Sequence, residues 1–359
     1  NARGLRDREI GYDNPAGALR ILSLADSFGE ALQVNLEETY HKQLETHLAD
    51  SLSRPVEVIN AGVGGWGTDQ EAIFYIAEGF RYEPDLVLLA FFIRNDAINN
   101  YGPLEIERNG GRQQKAFFSL SAAGELIPPP LEENAGSHNS EQARALAPEP
   151  GQPAGLGDLT SAEQKPALLS VADQLWRISA LYRFITPYLR DIPPVLQRLG
   201  PSGILGGEAV IRASHPTIPV PFFVYQAPPD ERFEAAWTLT EAIISRLRTE
   251  IEQRGARLVV VIIGAPEQIY PEAWERTLAA QPGMHSINWD LDEPNRRLAG
   301  FLAKEEILYL DLLPIFREAA ARPETPPLHF RHDQHWTAAG HRLASEAIRD
   351  FLLAQGLGD

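Results

Sequence analysis

Ser27 stands where an apolar run gives way to a helix-like pattern, in the stretch ILSLADSFGEALQV. A serine at such a strand-to-helix turn is well placed for nucleophilic catalysis, because the amides and the dipole of the helix favour an oxyanion beside it. The same serine also suits a structural role. Ser27 and Glu30 match the S-x-x-E capping box, in which the serine oxygen accepts from an amide at the helix start. This stretch alone leaves both roles open.

An acid and a base stand two residues apart in the stretch HFRHDQHWTAAG. In an extended segment such residues point to the same side, so Asp333 can accept from Nδ1 of His335 and leave Nε2 facing a reacting group. That pair is the orienting half of a serine-histidine-aspartate triad. Thr337 is predicted to cap the last helix. A zinc site through His329, His332 and His335 is an alternative on spacing, without the helical H-E-x-x-H pattern.

A glycine-rich stretch, VINAGVGGWGTDQEA, follows a predicted strand and precedes a predicted helix. Gly62, Gly64 and Gly67 satisfy G-x-G-x-x-G, which in this context is also the fingerprint of dinucleotide binding. A Rossmann fingerprint normally occupies the first βα turn, whereas a strand and a helix already precede this one. The alternatives at this point are a nucleotide site, a tight turn without a ligand, and a loop that lines another kind of site.

The stretch PDLVLLAFFIRNDAINN ends a buried strand in Arg94, Asn95 and Asp96. In a parallel α/β sheet the carboxyl ends of neighbouring strands converge on one edge, where ligands bind. Ser27, the glycine-rich loop and Asn95 are therefore expected at the same edge. Taken alone, Asn-Asp is also typical of a turn or a helix cap.

Elements that can position these residues recur along the chain. Continuous apolar runs predict strands at LRILSLA, VEVIN, DLVLLAFF, RLVVVIIG and EILYLDL, with helical patterns between most of them. Strands that are apolar on both faces indicate a parallel sheet between two layers of helices. Three of the runs precede residue 100 and two follow residue 255, so residues 100–230 are interpreted as an insertion. Within it we expect a hairpin at AFFSLSAAGELIPPP, a Pro-, Gly- and Glu-rich loop, and an amphipathic helix at VADQLWRISALYRFITPYLRDI.

Composition limits the classes of partner. The net charge of −17 argues against nucleic acid and anionic membranes, because such surfaces are bound by clustered Lys and Arg. The absence of cysteine excludes disulfides and thiolate chemistry but does not choose a compartment. The apolar runs are shorter than the roughly 20 residues that span a bilayer. The sequence begins at Asn1, so an extracytoplasmic location or an anchor preceding Asn1 stays open.

Taken in order, the four stretches resemble the blocks of the SGNH hydrolase superfamily, also called GDSL esterases. The resemblance covers roughly residues 1–100 and 255–355. It implies that Ser27 is the nucleophile and that ADSFGEA is the G-D-S block. It assigns the oxyanion donors to the N–H of Ser27, the N–H of Gly65, with Gly64 as the alternative, and the amide of Asn95. The chain departs from the family where Ala25 and Ile93 replace glycines, and where DQHW replaces D-x-x-H.

The resemblance implies a three-layer α/β/α fold with a five-stranded parallel sheet of flavodoxin-like order, in one domain that carries the insertion. It also implies a serine esterase with the triad Ser27, His335 and Asp333 and no cofactor or metal, acting on a small-molecule or glycan ester. The form DQHW is similar to the D-x-H-W variant of SGNH-like polysaccharide O-acetyltransferases, so O-acetyl transfer to a glycan is an alternative. A nucleotide-binding oxidoreductase and a carbohydrate-binding relative with an inactive site are two others.

Overall fold

A computed structural model describes residues 1–14, 17–109, 111, 113–129, 218–331 and 333–357, with isolated positions between 130 and 217. The strands are β1 (Leu19–Ala25), β2 (Val56–Gly62), β3 (Leu86–Phe92), β4 (Ser119–Leu120), β5 (Leu126–Ile127), β6 (Arg257–Ile263) and β7 (Leu308–Asp311). Five of them form a sheet of order β2-β1-β3-β6-β7, in which every pairing is parallel. This is the flavodoxin-like order, so the predicted sheet is confirmed.

Helices cover both faces of the sheet. The helices of the described residues are α1 (Ser27–Glu30), α2 (Tyr40–Leu52), α3 (Thr68–Ala77), α4 (Asp96–Asn100), α5 (Gly102–Arg108), α6 (Glu231–Glu252), α7 (Pro266–Ile269), α8 (Pro271–Ala280), α9 (Glu293–Lys304), α10 (Leu313–Ala320) and α11 (Ala338–Ala354), of which α5 belongs to a second compact unit. On one face α2 and α11 pack against each other, and on the other face α6 contacts α3 and β6. The predicted three-layer α/β/α class is therefore confirmed.

Alternate residues of each strand face opposite layers. Ile21, Leu88 and Val261 belong to the core beneath α2 and α11. On the opposite face, the ring of Phe91 stacks on Trp237 of α6 with the centroids 6.0 Å apart. Because both faces are covered, the strands read as unbroken apolar runs, which is why the sequence predicts them so clearly.

The chain divides into two compact units. The first comprises Asn1–Tyr101, Phe117–Ile127 and Pro221–Asp359 and contains the five-stranded sheet, while the second comprises Gly102–Ala116 and Pro128–Val220. The predicted hairpin is confirmed as β4 and β5, which pair in antiparallel register. It belongs to the first unit, where β5 contacts α6. Most of the predicted amphipathic helix lies outside the described residues.

His341 lies in the first turns of α11, where it is 1% exposed. Its Nδ1 accepts the Tyr40 backbone N–H at 3.2 Å, and its ring stacks on the Tyr40 ring. Burial, with smaller contributions from the charges of His335 and Arg6, lowers the pKa of His341 from 6.5 to about 3. In the unfolded chain this histidine takes up a proton at its ordinary pKa. The stability that the neutral ring contributes is therefore full above pH 6.5 and is lost as the pH falls toward 3.

The variant His341→Gln should remove this source of acid sensitivity. Between pH 7 and pH 5 the wild type should lose about 2 kcal/mol of unfolding free energy through His341 alone, since each pH unit below the unfolded pKa costs about 1.4 kcal/mol. Urea unfolding of both proteins at the two pH values measures the difference. Equal losses in the two proteins would show that His341 takes up its proton in the folded state.

Candidate active site

Ser27 is the first residue of α1, directly after β1 ends and Asp26 turns the chain. Asp26 caps this helix, with its Oδ1 accepting the Phe28 N–H at 2.8 Å. The predicted capping box of Ser27 and Glu30 is therefore wrong. The Glu30 carboxylate accepts the backbone N–H of Gly64 at 2.7 Å instead. Because Asp26 does the capping, the Ser27 hydroxyl is left for another partner.

That partner is His335, whose Nε2 lies 2.7 Å from Ser27 Oγ. Nδ1 of the same ring contacts Asp333 Oδ1, which also accepts the His335 backbone N–H at 2.8 Å. A carboxylate only accepts, so Nδ1 carries the proton and Nε2 accepts from the Ser27 hydroxyl. The hydrogen bond from the His335 side chain lowers the pKa of Asp333. The three predicted side chains thus lie in one continuous series of hydrogen bonds.

Asp333 and His335 lie in a hairpin whose two sides are residues 329–331 and 334–336. Its two sides are held by a bridge between His329 and Trp336 and by the Phe330 N–H, which donates to the His335 carbonyl at 3.0 Å. Trp336 is buried, and its ring meets the Phe28 ring edge-on with the centroids 4.9 Å apart. The tryptophan of DQHW therefore anchors the hairpin against the helix that begins at Ser27.

The predicted cap at Thr337 is confirmed, because its Oγ1 accepts the Gly340 N–H of α11. The zinc alternative gains no support from the described histidines. His329 Nδ1 lies 3.1 Å from the Tyr270 hydroxyl, while both nitrogens of His335 already contact Ser27 and Asp333. His332 lies outside the described residues. Within the part of the chain that is described, no cluster of three or more His, Asp and Glu could hold a metal ion.

The glycine-rich loop passes beside the serine. A Cβ added to Gly62 would lie 2.5 Å from the Glu30 backbone nitrogen, so close packing of α1 on β2 requires glycine there. A Cβ on Gly64 would lie 3.8 Å from the Cβ of Ser27. Gly65 is exposed, has φ +81° and borders open space. Glu30 already engages the Gly64 N–H, whereas no acceptor among the described residues bonds the N–H of Gly65.

Asn95 is joined to the serine turn through Asp26. Its Nδ2 donates to Asp26 Oδ2 at 3.0 Å, and its side chain makes no capping bond to α4. Asp26 is fully buried, and burial raises the pKa of its carboxyl, opposed by the hydrogen bonds from the Phe28 N–H and from Asn95. One amide hydrogen of Asn95 is thus committed to Asp26, and the second remains for another acceptor.

Sequence reasoning missed Asp26. The signal is its place directly before the serine in ADSFGEA, where a buried acid can accept from a backbone N–H with one oxygen and from a side chain with the other. It connects the start of α1 with the side chain of Asn95, so the nucleophile and the predicted amide donor share one support.

Ser27, His335 and Asp333 are thus joined by hydrogen bonds beside the carboxyl end of β1, at the edge of the parallel sheet. Residues 224–359 match the family model described as the SGNH hydrolase-like domain of the acetyltransferase AlgX. The resemblance of the sequence to the SGNH hydrolases is thereby confirmed. The match covers less than half of the chain. Asp333 and His335 lie inside it, and Ser27, Gly65 and Asn95 lie outside it.

No curated protein matches the chain. Solved structures similar to it include a catalytic mutant of Axe2, an acetylxylan esterase from Geobacillus stearothermophilus, at 11% identity and a TM-score of 0.41, covering 94% of each chain. The acetyl xylan esterase AlAXEase has 12% identity and a TM-score of 0.41, over 94% of this chain and 98% of that one. A GDSL-like lipase from Bacteroides thetaiotaomicron has 8% identity and a TM-score of 0.37, over 94% and 89%. Superpositions at this level carry no weight for the function of this chain.

Among the described residues, no helix is long and apolar enough to cross a bilayer.

Proposed function

We propose that this protein is a serine esterase that hydrolyses carboxylic esters through Ser27. The single observation that carries the proposal is the series of hydrogen bonds from Ser27 Oγ through His335 to Asp333, with 2.7 Å between the serine oxygen and the histidine Nε2. A half-buried serine hydroxyl that is hydrogen-bonded to an imidazole, itself held by a carboxylate, is the arrangement that activates a nucleophile.

The reaction runs in two steps. Ser27 Oγ attacks the ester carbonyl while His335 Nε2 takes its proton, and the tetrahedral intermediate collapses as His335 returns that proton to the leaving alcohol. Water then attacks the acyl-serine and gives a proton to His335. The second tetrahedral intermediate collapses as His335 returns that proton to Ser27 Oγ, and the acid is released. Asp333 holds Nδ1 throughout and stabilises the imidazolium. The backbone N–H groups of Ser27 and Gly65 and the free amide hydrogen of Asn95 are the proposed donors to the oxyanion.

O-acetyl transfer to a glycan is the second candidate, and the match of residues 224–359 to the AlgX acetyltransferase domain favours it. The same residues form the acyl-serine, but a sugar hydroxyl replaces water in the second step. The two candidates differ only in the acceptor, so they are separated by measuring products rather than by removing residues.

A panel of aryl esters and acetylated oligosaccharides, each assayed with and without an unacetylated glycan, tests both candidates. Release of acid at a rate that is independent of glycan supports the esterase. Acetylated glycan formed in proportion to added acceptor supports the transferase. Absence of turnover, together with no labelling of Ser27 by a serine-directed phosphonate, would overturn both and leave a carbohydrate-binding or nucleotide-binding protein. Bound nucleotide in the purified protein would then decide between those two.

Glu30 should support the oxyanion donors by holding the glycine loop at Gly64. In Glu30→Ala the loop loses that hydrogen bond, and kcat should fall by about tenfold, less than the loss of a donor itself. Glu30→Gln keeps an acceptor oxygen for the Gly64 N–H and serves as the matched control, with kcat close to that of the wild type. Equal activity of the alanine variant and the wild type would show that the loop needs no such support.

The insertion is proposed to set substrate choice without supplying catalytic groups, because it follows Asn95 and Asp96 in the sequence and long functional loops commonly act as lids. Its sequence contains the aromatic residues Phe117, Phe118, Trp176, Tyr182 and Phe184. Replacing residues 128–219 by a short linker keeps the β4–β5 hairpin, which packs within the first unit. The trimmed protein should still hydrolyse a small acetate ester but lose its selection among longer and glycan esters. An unchanged ranking of substrates in the folded, trimmed protein would contradict a lid.

A further inference from the structure

We propose that Arg94 is a positioning residue that fixes the tip of the catalytic hairpin through Gln334. The inference rests on the proposed function, and it assigns a role to two side chains for which the sequence motifs predict none. Arg94 follows β3 and directly precedes Asn95, while Gln334 stands between Asp333 and His335. Arg94 Nη1 donates to Gln334 Oε1 at 3.0 Å.

Besides Gln334, two groups hold Arg94: the Glu267 carboxylate and the Phe222 ring. Its Nε lies 3.2 Å from Glu267 Oε1, on a side chain of α7 that is 5% exposed. The Tyr225 hydroxyl donates to the same carboxylate oxygen at 3.2 Å. The guanidinium carbon lies 4.8 Å from the centroid of the Phe222 ring, within the range of a cation–π contact. An arginine fixed in this way offers Gln334 a donor whose position varies little.

The tip of the hairpin needs such a support. Trp336 anchors its base, but the Asp333 side chain is 40% exposed, and the Gln33 amide that reaches it does so at 3.4 Å. An exposed, weakly held acid allows the His335 ring to drift from the serine. A displacement of about 1 Å at a catalytic group can cost about 100-fold in rate.

The arrangement also links two parts of the site. Arg94 and Asn95 are adjacent in the chain, so the same strand end carries the anchor of the histidine hairpin and the proposed amide donor. Moving one should move the other. The contact therefore sets the separation of the general base from the oxyanion donors, which is the distance that matters when charge develops on the substrate.

The test begins with Gln334→Leu, because it removes the contact without leaving the buried Glu267 unpaired. With an aryl acetate as substrate, we expect kcat to fall by about 10- to 100-fold with KM nearly unchanged. Gln334→Glu restores an acceptor oxygen and should recover most of the loss. Gln43→Leu on α2 is the matched control. Gln43 is also a half-buried glutamine, and its amide donates to the Glu38 carbonyl at 2.6 Å. Its kcat should equal that of the wild type.

A double-mutant cycle separates positioning from a general loss of structure. Arg94→Met is made together with Glu267→Gln, so that no buried charge is orphaned, and Gln334→Leu is added to that pair. If Arg94 acts through Gln334, the added substitution should lower kcat by less than twofold further. Losses that multiply, or a Gln334→Leu protein with wild-type kcat, would overturn the proposal.

Amide hydrogen exchange gives a readout that does not depend on turnover. Exchange at residues 330–336, including the His335 N–H bound to Asp333, should accelerate in Gln334→Leu while the sheet strands stay protected. If the wild-type protein shows no turnover that depends on Ser27, the proposed function is wrong. If the wild type turns over substrate, but Gln334→Leu has the same kcat and the same exchange rates, only the positioning role of Arg94 is wrong.

Discussion

Ser27→Ala is expected to abolish ester hydrolysis while leaving the protein folded. In a serine hydrolase the loss of the nucleophile lowers kcat by about a million-fold. The cost in stability should be small, because the cap of α1 is Asp26 and its hydrogen bond to the Phe28 N–H survives the substitution. The expected change in unfolding free energy is therefore below the ~0.5–2 kcal/mol that loss of a helix cap costs.

The matched control for Ser27→Ala is Ser23→Ala on β1, the strand that precedes Ser27. Ser23 is fully buried, and its hydroxyl lies 2.7 Å from the Tyr40 hydroxyl. Its removal should lower the unfolding free energy by about 1 kcal/mol with kcat unchanged. Steady-state kinetics and urea unfolding of both variants should show opposite patterns. If Ser27→Ala turns over substrate at the wild-type rate, Ser27 is not the nucleophile.

Asn95→Ala carries the second largest expected effect. If the free amide hydrogen of Asn95 meets the oxyanion, kcat should fall by about 10²–10³, or roughly 2.7–4 kcal/mol of transition-state stabilisation, with little change in KM. Some stability should also be lost, because the buried Asp26 loses one of its hydrogen bonds. The kinetic loss per folded molecule is the quantity that identifies a donor.

Asn100→Ala is the control for that variant. Asn100 is the last residue of α4, the short helix that follows Asn95. It is fully buried, and its side chain bonds Thr240 and the Asp69 N–H at 3.0 Å each. Its loss should lower the melting temperature while kcat per folded molecule holds. If Asn95→Ala behaves in the same way, Asn95 has a structural role only and the oxyanion assignment fails.

The sequence was sufficient to predict the sheet and the residues that meet at its edge. Runs such as LVLLAFF are apolar at every position, which is the pattern of a strand covered on both faces. Ser27 is predicted as a site residue because it follows a predicted strand, and His335 because it lies beside Thr337, the predicted helix cap. Each of these signals lies within a few residues of the side chain it concerns.

Partners that are distant in sequence escaped prediction. The S-x-x-E pattern implied that Glu30 would bond within its own helix turn, but tertiary packing brings Gly64 to it across 34 positions. Arg94 and Gln334 are 240 positions apart, and neither local sequence predicts the contact between them. Sequence patterns predict the hydrogen bonds that a segment can form by itself. The side chains of Glu30 and Arg94 bond to other segments, so their partners could not be predicted in this way.

The hydrogen bond between Ser27 and His335 joins residues that are 308 positions apart in the sequence. Pairing of β1 with β2 and β3 needs far shorter loops and can be complete first, whereas long-range closure is entropically slow. During synthesis at about 5–20 residues per second, the ribosome therefore carries the serine for many seconds before the histidine exists. Under the proposed mechanism, turnover during refolding should therefore appear only after the segment that carries His335 has docked beside Ser27.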